Sequence, residues 1–243
     1  MFASGIWGGF KKFLQRAGSG ALISKIIRTE IGDSSEGYVL EAGCGTGYLG
    51  LQMARSGRKT VLLDVSPSAL AYAGSEANRL ELKPPRVKGS VFHLPFKDAV
   101  FSGTFNVGVL DHFGQQGRKN AALEMLRVTK PQGKVTIVTN DVRSYVHPYA
   151  MKYAADRGRW PFGFKAAISS LQAEIPDLLK DYDVNEYSRG FLSQFEFGHY
   201  FLPPMGALKA LFFGTFYFCT WPFAFLNRFA GQYLVTVIKK GDS

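Results

Sequence analysis

Apolar residues in this chain fall into short runs separated by stretches with helical spacing. Tyr38-Val39-Leu40 reads as a buried strand and Thr60-Val61-Leu62-Leu63 as a second. Val87 to Phe92, Phe105 to Leu110 and Lys134 to Thr139 give a third, a fourth and a fifth. Tyr48 to Arg55 and Asn120 to Thr129 read as helices, and Ser66-Pro67 opens another, with Pro67 near its first helical position and Ala69, Leu70 and Ala73 following. Strands and helices that alternate in this way predict a parallel sheet covered on both faces.

The first strand ends in an acid, Glu41, and Gly43, Gly45 and Gly47 then alternate ahead of the helix at Tyr48. Glycine is required where the backbone turns with positive φ, or where a ligand must touch the main chain itself. A glycine-rich turn between a strand and a helix therefore marks a small-molecule site at the carboxyl edge of the sheet. Glu41 would repel a pyrophosphate and suits a ligand that carries an ammonium or sulfonium group. The second strand ends in Asp64, 21 residues after Gly43, close to the spacing of roughly 20 at which an acid accepts ribose hydroxyls. Residues 45–50, Gly-Thr-Gly-Tyr-Leu-Gly, also match the dinucleotide fingerprint, with Asp64 19 residues from Gly45. Glu41 and the block Leu94 to Asp98 speak against that reading.

Composition narrows the picture. A chain of 243 residues holds one domain with a full core and a modest cap or insert. Its two cysteines, Cys44 and Cys219, make no disulfide framework and fit a reducing, cytoplasmic compartment. Cys44 reads as a small side chain in a crowded turn rather than a nucleophile. His93, His112, His147 and His199 are scattered without metal-ligand spacing, so no metal is expected.

The net charge of +10 is uneven. Lys11, Lys12, Arg16, Lys25 and Arg28 precede the first acid, Glu30, and share their segment with Phe2, Ile6, Phe10, Phe13 and Leu14 at helical spacing. Residues 1–35 are therefore predicted to hold an amphipathic helix that either packs on the domain or lies on anionic lipid; no signal-peptide pattern is present. Ala210 to Leu226 is 17 residues without a charge, short of the roughly 20 needed to span a bilayer and interrupted by Pro222. Its aromatic density suggests a cap, a wall for an apolar substrate or a membrane-docking surface.

In order along the chain, Leu40-Glu41-Ala42-Gly43-Cys44-Gly45-Thr46-Gly47, Leu63-Asp64-Val65-Ser66, Leu94-Pro95-Phe96-Lys97-Asp98, Val109-Leu110-Asp111-His112 and Leu126-Arg127-Val128-Thr129-Lys130-Pro131-Gln132-Gly133-Lys134 resemble the motifs of class I S-adenosylmethionine-dependent methyltransferases. The resemblance covers about residues 36–140 and is nearest to the small-molecule branch that includes ubiquinone/menaquinone-biosynthesis enzymes. It implies an α/β, Rossmann-like, doubly wound and mostly parallel seven-stranded sheet, with an antiparallel last strand, helices on both faces and an apolar insert near the C-terminus. It further implies residues 36–243 as the methyltransferase domain, divided into a cofactor-binding half over 36–140, a substrate lid over 141–193 and the final strands over 194–243 with an aromatic insert over 203–230. The last strand, Gln232 to Lys239, would pair near Phe195 to Phe201.

The implied cofactor is S-adenosylmethionine, held by Glu41, Gly43, Cys44, Gly45, Gly47, Asp64, Val65, Ser90, Val91 and Leu110. Ser90 stands where many members place an aspartate against the adenine amine, which leaves that contact to the backbone near Val91. Catalytic candidates are His112, as a base, and Asp111. Arg143, His147 and Tyr149 are the polar candidates for the substrate. The acceptor is expected to be small or lipid-like, reached in the cytoplasm or peripherally at the inner face of a membrane. Two other readings are RNA methylation, suggested by charge alone with no RNA-binding module in view, and a cofactor-binding protein without catalysis, suggested by Ser90. No feature sets an oligomeric state.

Overall fold

A computed structural model describes residues 19–32, 36–159, 167–202 and 206–241. The amphipathic positions from Phe2 to Leu14 lie outside the described residues, as do residues 203–205 of the expected insert. Helix α1 (Ser19–Ile31) leads into β1 (Tyr38–Ala42), α2 (Tyr48–Arg55), β2 (Lys59–Asp64), α3 (Pro67–Arg79) and β3 (Arg86–Lys88). Next come β4 (Phe101–Val107), a 3-10 turn (Leu110–His112), α4 (Gln115–Val128) and β5 (Thr129–Asn140). Then follow α5 (His147–Asp156), the short α6 (Leu171–Glu174) and α7 (Pro176–Leu179), and β6 (Asp183–Arg189). A 3-10 segment (Ser193–Phe201), α8 (Gly206–Thr220), another 3-10 segment (Trp221–Arg228) and β7 (Tyr233–Lys239) complete the chain.

The seven strands form one sheet in the order β3-β2-β1-β4-β5-β7-β6. The first five pair in parallel; Leu40 of β1 lies opposite Val61 of β2 and Thr104 of β4. β7 runs antiparallel to β5: Gln132 N–H donates to the Lys240 carbonyl and Asp141 N–H to that of Gln232, so partners descend on one strand as they climb on the other. This is the doubly wound sheet the sequence predicts.

Alternation along β2 shows why both faces are covered. Leu63 joins a cluster with Leu40, Phe101, Met125 and Ile137, whereas its neighbour Leu62 joins Leu51, Ala73 and Ala77. Successive strand side chains point to opposite faces, so each leucine is buried only if helices close both.

Three boundaries differ from expectation for physical reasons. The third run yields only Arg86–Lys88, because Ser90 and His93 close on each other in an isolated antiparallel bridge. The fourth strand ends at Val107, where Gly108 takes φ +69° and sends Leu110 into the 3-10 turn. The fifth begins at Thr129 and carries a bulge: Phe101 pairs with Thr129 but Gly103 with Lys134, and Gln132 takes φ +63° within the extra residues.

The partner of the last strand is corrected outright. It is Asp183–Arg189, and residues 193–201 form a 3-10 segment instead. β6 reads Asp-Val-Asn-Glu-Tyr-Ser-Arg, too polar to stand out as a strand, and its Glu186 is accommodated by four donors. Ser170 Oγ, Leu171 N–H, Gln172 N–H and Thr236 Oγ1 all reach its carboxylate, at 2.6, 2.9, 3.1 and 2.7 Å.

The chain divides into two compact units. The sheet unit spans 24–139, 170–187 and 235–243, and the helical unit spans 1–23, 140–169 and 188–234. In the helical unit, ring contacts do much of the packing: His147 stands edge-on to Phe197 at 4.6 Å and Tyr153 to Phe201 at 5.1 Å. Asn227 Oδ1 accepts from Leu192 and Ser193 N–H at 2.9 and 3.1 Å and fixes the segment after α8.

Candidate functional site

The glycine turn lies in the sheet unit, at the carboxyl edge of the central strand. Gly43 and Cys44 N–H groups both donate to the Leu63 carbonyl at 2.8 Å, which ties the turn to β2. Gly45 sits at φ +50° with nothing within 4 Å of where a Cβ would be. Its backbone is bare on that side, so a ligand can reach the main chain there. Gly50, one turn into α2, serves a different purpose: a Cβ would run into Leu62 and the Glu41 carboxylate, so it sets how closely α2 packs on the sheet.

Both predicted acids are present, and each does something the sequence did not show. Asp64 receives Gly45 N–H on one oxygen at 2.7 Å and Ser66 N–H on the other at 2.8 Å. The second bond is an Asx-turn, and the first clamps the glycine loop. An ionised carboxylate offers about four lone-pair positions, so two remain for hydroxyls of a ligand. Glu41 is buried and accepts the Gly50 N–H at 2.8 Å. Burial pushes its pKa up to about 8; the Gly50 N–H works against the rise, and the Asp64 charge adds to it. Asp64, and Glu41 once a nearby cation ionises it, suit a cationic ligand with hydroxyls. The Cys44 thiol is pushed up to about 12 by burial and by Glu41 and Asp64, so it stays protonated and is no nucleophile.

The other predicted positions sort by what they touch. Val65, next to Asp64, is two-thirds exposed, an apolar side chain open to a ligand. Ser90 turns its hydroxyl to Phe92 N–H at 3.2 Å and its carbonyl to His93 N–H at 3.2 Å, while Val91 packs in the core. Leu110 is sealed in the core and gives its carbonyl to Arg118 Nε at 3.2 Å. Asp111 is buried and His112 half-buried on the same 3-10 turn, beyond the carboxyl end of β4.

Arg143, His147 and Tyr149 belong to the helical unit. Arg143 Nε is bound to the fully buried Asp141 at 2.8 Å, and Tyr149 stands exposed. Burial lowers the His147 pKa to about 4, so that ring is neutral.

Sequence reading missed a clamp on the Leu94 to Asp98 block. Arg127 on α4 donates to the Leu94 and Phe96 carbonyls at 2.9 and 2.8 Å and to Asp98 at 2.7 Å. Glu124, one turn earlier, accepts the Leu94 N–H at 2.7 Å and bonds Arg127 through both oxygens. The Arg127 guanidinium holds the Glu124 carboxyl below its usual range. The signal was there: Arg127 and the Leu94 block are two of the five recurrent motifs, but their contact is not a sequence property.

Comparison with known proteins bears on the fold and its cofactor. Residues 39–133 match the family described as "Methyltransferase domain". A probable S-adenosylmethionine-dependent methyltransferase of Mycolicibacterium smegmatis is 30% identical over 101 residues, 42% of this chain and 37% of that protein. The malonyl-[acyl-carrier protein] O-methyltransferase of Pectobacterium atrosepticum is 30% identical over 103 residues, 42% of this chain and 38% of that protein. The chain spans about half the length of the curated relatives it matches. Among solved structures, geranyl diphosphate C-methyltransferase from Streptomyces coelicolor A3(2), in complex with Mg2+, geranyl diphosphate and S-adenosyl-L-homocysteine, superposes with a TM-score of 0.60 at 12% identity. That superposition covers 91% of this chain and 79% of the other and shows a shared fold. With the motif order, the strand order and the match over residues 39–133 in agreement, the chain carries a domain similar to those of the class I S-adenosylmethionine-dependent methyltransferases.

Proposed function

We propose that the protein transfers a methyl group from S-adenosylmethionine to a small-molecule or lipid-like acceptor. The observation that carries this reading is the pairing of Glu41, buried with a pKa of about 8, with the bare backbone at Gly45. A buried acid of this kind is stabilised in its charged form by a nearby cation, and the open main chain lets the ligand come close. S-adenosylmethionine supplies, when bound, a methyl on positively charged sulfur that is already activated for in-line displacement.

The chain has then to bind, align and exclude water, holding acceptor and methyl at about 3 to 3.5 Å. Asp64 keeps the loop in shape through Gly45 and offers its remaining lone pairs to the ribose hydroxyls. Val65 covers the ligand's apolar side, and the backbone around Ser90 and Val91 borders the base. Gly43, Cys44 and Gly47 contribute main chain. His112, with Asp111 beside it, takes the acceptor's proton. In the helical unit Arg143 is the candidate for an acidic group on the acceptor, with His147 and Tyr149 as further polar contacts. The acceptor is met peripherally at the cytoplasmic face of a membrane.

Calorimetric titration with S-adenosylmethionine and S-adenosylhomocysteine, run beside an Asp64→Ala variant, tests the reading. Binding that weakens at least about tenfold in the variant supports it, because two charge-assisted hydrogen bonds and the loop clamp go together. Folded wild-type protein that binds neither ligand overturns it.

A further inference from the structure

Most water-facing helices turn charge outward; among its described side chains, residues 211–220, α8 does not. Its exposed positions are Leu211, Thr215, Phe218 and Cys219, spaced by four, three and one, which is one helical face without a charge. Phe218 is 79% and Leu211 65% exposed. The opposite face is the anchored one. Tyr217 is buried, stacks on Phe213 at 6.0 Å and hydrogen-bonds Glu196, whose carboxylate also takes Ser19 N–H and Oγ. The outward face is therefore held in place by contacts on the inner one.

The next segment continues the pattern. Phe223, Phe225 and Phe229 are each about half exposed. Arg228 lies 5.8 Å over the Phe225 ring and 4.9 Å over Phe229, a cation resting on aromatic faces. From residue 197 to residue 241 the sequence contains no acid. Across residues 188–234 the sequence carries Arg189, Lys209 and Arg228 against Glu196 alone.

We infer that residues 211–230 dock on the surface of an anionic lipid bilayer. Exposed rings beside a basic field are the chemistry of an interfacial segment: apolar side chains enter the acyl boundary while Arg228 stays among the headgroups. The helix lies on the bilayer rather than across it. At about 1.5 Å per residue, the 15 residues of α8 reach about 22 Å, short of the roughly 30 Å hydrocarbon core. No described helix is long and apolar enough to cross a membrane. A second copy of this chain is a poor occupant, since two chains of net charge +10 repel each other.

The inference is independent of the methyl-transfer reading, and flotation with phosphatidylcholine vesicles, with and without phosphatidylglycerol, tests it. Wild-type protein is expected to float with the anionic vesicles, more weakly with the neutral ones, and less as salt rises. Phe218→Ser with Phe225→Ser should lower partitioning at least about tenfold, the worth of one buried phenylalanine, and leave thermal unfolding and the S-adenosylmethionine titration unchanged. Leu211→Ser is the reserve variant should the pair misfold. Cys219, exposed where Cys44 is buried, takes an environment-sensitive thiol dye that should shift to the blue on anionic vesicles. No flotation on anionic vesicles, flotation indifferent to these substitutions, or a concentration-dependent dimer lost in the double variant would overturn the inference.

Discussion

Glu41 shows how far one residue's environment decides its chemistry. Its sequence position makes it a motif acid; its burial makes it an acid that holds its proton to about pH 8. Because the folded pKa is raised, the protonated form is the one the fold favours. Its contribution to stability is complete below the ordinary value of 4.5 and is lost as pH rises through about 8. Denaturant unfolding across that window should therefore show stability falling with pH, and Glu41→Gln should flatten the slope while keeping a partner near Gly50 N–H. A slope unchanged by the substitution would mean that another group controls it. The same logic ties Glu41 to its ligand. A cation that favours the ionised form makes binding release a proton near neutral pH, which calorimetry in buffers of different ionisation enthalpy reads directly.

At the scale of elements, the α4 pair Arg127 and Glu124 fixes the Leu94 to Asp98 block, which otherwise has little regular structure. Arg127→Ala leaves two carbonyls and two carboxylates without their donor. A hydrogen bond to a charged group contributes about 1.5 to 3 kcal/mol, and the pair is partly exposed and screened, so a loss of about 2 kcal/mol overall is expected. Chemical denaturation measures it, and a loss under about 0.5 kcal/mol, the scatter of an ordinary surface change, would show that the block holds itself. Elements were legible where one residue type carries their physics. α2 was predicted to its exact ends, since a glycine turn and an apolar face mark it, and β1 and β2 differed by a residue or two. β6 was not legible, because its inward Glu186 is made tolerable by donors from α6 and β7 that no local pattern reveals. The site shows the same division. Asp64 and the glycines stood out by spacing, whereas the Arg127 clamp exists only in three dimensions.

The whole molecule sets two kinds of packing side by side in sequence. The sheet unit buries large side chains completely: Leu40, Leu62, Phe101, Phe105 and Met125 each have under 2% exposure. In the helical unit many of the rings packed against one another are half exposed, among them Phe197, Phe212 and Phe213. Burial of apolar area is the main favourable term in folding, so a segment that buries less opens at lower cost. Amide hydrogen exchange should consequently be slowest in β1 and β4, the centre of the sheet, and faster by at least about tenfold in α5 and α8, a gap of about 1.4 kcal/mol in opening free energy. Protection in α8 equal to that in β4 would show that the two units unfold as one. Repeated on anionic vesicles, the experiment also separates the two claims made for this chain. Slower exchange confined to α8 and residues 221–230 would report docking, and slower exchange at Gly45 and Gly47 on adding S-adenosylmethionine would report the cofactor. Each can fail while the other stands, because the rings and the glycine turn belong to different units of the fold.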